Sequence, residues 1–198
     1  MKLYVGFIVA FLFSACSTTY PAVTEYKINV DTNKRQQIVS SCKNESLKVA
    51  QVFVAAPLMQ KEMHYVVGKY QEGRFNQSAW AQSPNRALTD AIVQRLQKEH
   101  IFATVESYKS FSSAKYTLES SVHEFTQYFS EDEKVSHAVV DITFTLIDNA
   151  TAKIIATKEI RKTEATKEAT AKSGVEALNE LLTQTLREAS IWLAGSCQ

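Results

Sequence analysis

Three hydrophobic patterns succeed one another along this chain. The first is a block: Leu3 to Phe13 is apolar at every position except Gly6, with Lys2 ahead of it and Ser14-Ala15 behind. The second is alternation of apolar and polar residues, which predicts half-buried strands. The third is an apolar residue at every third or fourth position, which predicts helices buried along one face.

The alternating stretches come in two groups. Glu25 to Val30 is a short first strand, with Tyr26, Ile28 and Val30 in alternation, and the polar run Asp31 to Lys43 fits neither period. Leu47 to Ala56 is rich in β-formers (Val49, Val52, Phe53, Val54) and stops at Pro57. Met63 to Tyr70 and Arg74 to Ala79 read as two short strands around a turn at Glu72-Gly73. Ile101 to Ser107 is a further strand, and then Tyr116, Leu118, Ser120 and Val122 alternate towards Phe125. His137 to Asp148 places Val140, Ile142, Phe144 and Leu146 on one face, and a turn at Asp148-Asn149 leads into Ile154 to Arg161. Short connections between these last strands predict an antiparallel meander.

Two segments carry the helical period. Ser83 is placed to cap a helix with Pro84 at its first position, where the missing N–H costs nothing. Leu88, Ile92 and Leu96 follow at four-residue spacing, with Ala91 beside them, and the pattern ends near His100. Thr166 to Ala194 carries a seam through Val175, Leu178, Leu182, Ala189 and Leu193, with Gly174 marking either a break or the start of its packed part. The order strands, helix, strands, helix predicts an α+β fold: a single antiparallel sheet with two helices packed on one face.

The leading block has a different meaning. Roughly 11 apolar residues are too few to span a bilayer, which takes about 20. A basic residue, an apolar run and small residues form a secretory signal, and here the small pair ends directly at Cys16. That is the sequence read by the lipoprotein signal peptidase, so residues 1–15 are expected to be removed and Cys16 to carry the acyl chains. An ordinary signal with a coincidental cysteine is the alternative. Residues 16–24 then form a lipidated tether, and 25–198 a single periplasmic domain. Ser17 follows the anchor where an Asp often retains lipoproteins in the inner membrane, which favours outer-membrane attachment facing the periplasm; inner-membrane sorting stays open because the rule differs between bacterial groups.

Composition removes several function classes. The chain has 22 Lys and Arg against 21 Asp and Glu, with no basic stripe for nucleic acid and no polybasic segment to reinforce a lipid anchor. Besides Cys16 there are Cys42 and Cys197, which an oxidising periplasm would pair; two free thiols or a metal pair are the alternatives. His64, His100, His123 and His137 fall on four different elements with no second ligand at zinc spacing. Ser173-Gly174 lacks the surroundings of a nucleophile elbow, and Glu131-Asp132-Glu133 reads as a solvated turn. No enzymatic chemistry, cofactor or metal is therefore expected. Trp80 and Trp192 stand at element ends, where each either seals a helix against the sheet or presents a surface. On the second reading, Trp80 joins Phe75 and Tyr70 in a partner-binding patch, and the same segment could instead face lipid.

The order of these features resembles a known family, the ABC-type transport auxiliary lipoproteins, to which paraquat-inducible protein C belongs. The parallel comprises the motif at Cys16, the strand at Tyr26-Lys27-Ile28 and the Val-rich strand from Val49 to Pro57. It continues with Trp80-Ala81-Gln82-Ser83-Pro84 leading into Leu88, Ile92 and Leu96, then Tyr116-Thr117-Leu118 running to Phe125, and Ala138 to Asp148. The resemblance implies a non-enzymatic role in envelope lipid transport. The partner it implies is a periplasmic substrate-binding protein with a mammalian-cell-entry (MCE) domain, belonging to an ABC transporter, with phospholipid as possible cargo. The competing expectation is a structural lipoprotein that supports assembly of another envelope machine, in cell-wall synthesis or secretion.

Overall fold

A computed structural model describes residues 22–31 and 38–197. Among the described residues, nine strands form one sheet against which two helices pack. The strands are β1 (Thr24–Tyr26), β2 (Ser46–Val49), β3 (Phe53–Val54), β4 (Glu62–Val67), β5 (Gln71–Trp80), β6 (Thr104–Ser107), β7 (Tyr116–Phe129), β8 (Ser136–Asp148) and β9 (Lys153–Ala165). The helices are α1 (Pro84–Glu99) and α2 (Ala171–Ala194).

The α+β class holds, but the sheet is mixed, not antiparallel throughout: five of its eight strand pairings are parallel. The meander β7–β8–β9 is antiparallel as its short turns require. On the other edge of β7, β2, β3 and β4 attach one after another, all parallel to it. Their direction is set by the excursion through β5, α1 and β6, which separates them from β7 in sequence. Alternation within each strand carries no trace of it.

Local boundaries shift for identifiable reasons. The run from Leu47 to Ala56 is two strands, because the chain leaves the sheet between Val49 and Phe53 and again into a 3₁₀ turn at Ala56–Met59. The hairpin between β4 and β5 turns at Gly68–Tyr70, not at Glu72-Gly73. Gly68 there takes φ +58°, a conformation side chains resist. Ile101 and Phe102 are buried in a loop instead of opening a strand. Thr170 caps helix α2, its hydroxyl accepting from Ser173 N–H at 3.2 Å, and the helix runs through Gly174 unbroken.

The core lies between the sheet and the helices. Leu118, Ile142, Phe144 and Leu146 from the strands meet Leu88, Ile92 and Leu96 of α1 and Leu182, Leu186 and Leu193 of α2. Arg95, 2% exposed, lies within it; it pairs with Glu99 one turn on and donates to the Asp31 carbonyl at 3.1 Å. Cys42 and Cys197 are bonded, S–S 2.00 Å, so the end of α2 is tied to the chain just before β2.

Candidate functional site

Strand β7 organises the most site-like feature of the domain. Its register with β8 slips between Val122 and Glu124, so His123 is an extra residue in a bulge. On the opposite edge β3 ends its pairing at Val122, and β4 takes up pairing only at Gln127. Residues 123–126 therefore have no strand partner on that edge. The chain spanning the gap swings outwards through the Ala56–Met59 turn, leaving a cavity of about 270 Å³.

The lining combines apolar and acidic character. Pro57, Leu58, Tyr65, Trp80 and Phe125 supply apolar surface, and Glu62, Glu72, Glu124, His64, His123 and Tyr128 supply polar groups. Trp80 and Phe125 pack with ring centroids 5.8 Å apart. Tyr65 is held between Phe75 at 4.6 Å and Phe129 at 5.2 Å. It lies directly against Gly73, where a Cβ would collide with its ring. This wall is pre-formed because each ring is fixed by another.

An ion network braces the other wall. Arg161 donates to Asp141 at 2.7 Å and to Glu124 at 3.0 Å. Those carboxylates hold the guanidinium above its ordinary pKa. Tyr128 stacks on His137 at 5.4 Å. Partial burial, followed by the negative charge of Glu124, raises its phenol above the usual range, so it stays protonated and able to donate. His123 shares a hydrogen bond with Thr143 at 3.0 Å. Chemically this cleft offers aromatic surface to an alkyl or ring group and carboxylates to positive charge. Among the described residues, no three His, Cys, Asp or Glu side chains are grouped to hold a metal ion.

The residues singled out in the sequence fare differently. Cys16 lies outside the described residues. Tyr70 is 90% exposed at the β4–β5 hairpin tip, Phe75 is half-buried in the aromatic cluster, and Trp80 is 4% exposed. They do not form one surface, since Tyr70 and Trp80 flank and end the ten-residue strand β5 and Trp80 packs inwards on Phe125. Sequence reading missed that His64 and His123 line one cavity. The two sit on strands separated by β5, α1 and β6, and only the broken edge of β7 brings them together.

Fold and sequence together define the class: an α+β domain preceded in sequence by the apolar run Leu3 to Phe13 and Cys16, with, among the described residues, no helix long and apolar enough to cross a membrane. The family of the ABC-type transport auxiliary lipoprotein component matches residues 26–190, and the chain belongs to that family. Among curated proteins none matches. A DUF330-family protein from Xanthomonas campestris has a similar structure: TM-score 0.70, 17% identity, 85% of this chain and 94% of that one covered. A second, uncharacterised protein aligns at TM-score 0.66 and 16% identity, covering 85% and 97%. The PelC dodecamer subunit from Paraburkholderia phytofirmans aligns at TM-score 0.52 and 12% identity, covering 81% and 94%. At these identities the likeness is one of fold.

Proposed function

We propose that this protein is a non-enzymatic accessory of an ABC transporter carrying an MCE-domain substrate-binding protein. On this reading it is held on the periplasmic face of the outer membrane by acyl chains on Cys16 and serves as a docking point for phospholipid transport. The observation that carries the reading is family membership across residues 26–190. The motif ending at Cys16 supports the anchor, because two or three acyl chains hold a protein on a bilayer at about 0.8 kcal/mol per buried methylene. The pre-formed aromatic cavity supports a binding role. Affinity purification of the intact lipoprotein from gently solubilised envelopes, with mass spectrometry of proteins and lipids, tests it. Recovery of an MCE-domain protein with its ATPase is the expected result. Recovery of cell-wall or secretion components in their place would make this a structural lipoprotein of another machine.

A further inference from the structure

The way the chain enters the sheet fixes which end of the domain meets the membrane. Strand β1 runs parallel to β5, with Glu25 opposite Ala79, and Ala79 is opposite Glu62 of β4. A 3.8 Å ion pair between Lys61 and Glu25 marks the same level. Because β5 runs away from the β4–β5 hairpin tip, the chain reaches Thr24 from the side of that tip. From Glu62 to the end of β4 at Val67 is about 17 Å at strand spacing. The eight residues from Cys16 to Thr24 reach at most about 29 Å, whatever path they take.

The other end of the sheet is out of comfortable reach. Tyr65 is opposite Gln127, which puts Glu62 level with Glu124 of β7. From there to Tyr116 at the foot of β7 is about 26 Å, and the loop carrying Phe111 lies beyond it. To bring that end to the bilayer, the chain would have to reverse before Thr24 and spend its whole length.

We propose that the hairpin tip Gly68–Tyr70, with the neighbouring β7–β8 turn, is the membrane-facing end, and that Tyr70 lies at the phospholipid headgroup level. This rests on the reading of Cys16 as the acylated residue. The two loops form one end, since Glu131 packs beside Gly68. Tyr70 is 90% exposed and Val135 65%, with Lys69 and Lys134 beside them. An exposed Tyr next to a Lys suits the interface, where the ring sits among headgroups and the ammonium reaches water. Glu131, Asp132 and Glu133 occupy the same turn. They keep contact shallow and favour a zwitterionic surface over an anionic one. The acyl chains supply the affinity, and the tip sets the orientation.

The test uses the lipidated full-length protein reconstituted on phosphatidylcholine vesicles, with and without acyl-chain bromination. Tyr70→Trp and Val135→Trp each add a reporter at the tip, and Phe111→Trp adds one at the far end, all compared with the parent and its two native tryptophans. Mass spectrometry of Cys16 comes first: an unacylated Cys16 overturns the anchor reading and this inference with it. With acylation confirmed, bromolipid should quench most of the fluorescence added at position 70 and leave that added at 111 untouched. Quenching at 111 instead, at both ends equally, or at neither would overturn the orientation while leaving the anchor intact.

Discussion

Gly174 stands where no side chain fits. It lies in the first turn of α2 against the buried Gln127 of β7, and a Cβ there would run into the Gln127 carboxamide. That carboxamide cannot simply swing away, because its nitrogen donates to Ser136 Oγ at 2.9 Å and to the Thr170 carbonyl at 3.1 Å. Gly174→Ala should therefore cost about 1–3 kcal/mol, the range for overpacking and for stranding buried polar groups, read as a lower urea midpoint. In a Gln127→Ala background the same substitution should cost clearly less, since the collision is gone. Equal costs in both backgrounds would place the strain elsewhere. Gly174 was legible in the sequence as a special position, but its partner was not, because Gln127 lies on a strand far from it in sequence.

At the scale of elements, β9 is joined to α2 by a small ion cluster. Glu188 meets Lys162 at 2.9 Å and Lys158 at 3.5 Å. The hydrogen bond from Lys162, then its charge, and the second lysine lower the Glu188 pKa below its ordinary 4.5. A carboxyl with a lowered folded-state pKa binds fewer protons folded than unfolded, so stability rises with pH across that window. The contribution is present above the unfolded value and lost as pH falls through the folded one. Glu188→Gln should accordingly lower the urea midpoint modestly at pH 7, and the gap from the parent should narrow as pH falls below the ordinary carboxyl range. The groups are partly exposed, so the effect is small and weakens with salt. A gap that persists unchanged to pH 3 would mean that packing, not charge, is lost. These elements themselves were readable: α1, α2 and the meander follow from period and turn residues. The β4–β5 turn was misplaced because Gly68 and Gly73 look alike in sequence, although one takes the positive φ and the other makes room for Tyr65.

At the scale of the whole molecule, the bond between Cys42 and Cys197 spans a sequence separation of 155 residues and ties the last helix to the start of the fold. Loops of this length are stabilised by about 2–5 kcal/mol when closed. Replacing both cysteines with serine should lower the thermal and urea midpoints together, and reduction of the parent should reproduce the change. Midpoints equal to the oxidised parent's would show that packing of α2 on β8 and β9 already holds that end in place. The same scale governs the candidate site: the cavity exists because three short parallel strands divide one edge of β7 and leave residues 123–126 between them.

The sequence by itself determined the two amphipathic helices, the three long strands and the α+β class. Each of these is written in contacts between residues a few positions apart, where periodicity, caps and turn residues act directly. The mixed direction of the sheet, the inward packing of Trp80 and the shared cavity lined by His64 and His123 were decided only by tertiary structure. They depend on which strand edge a distant segment joins and from which side it arrives. Alternation within a strand shows which face is buried, but the hydrogen bonds of its edges fit a parallel or an antiparallel neighbour alike, so that choice falls to the packing of the whole chain.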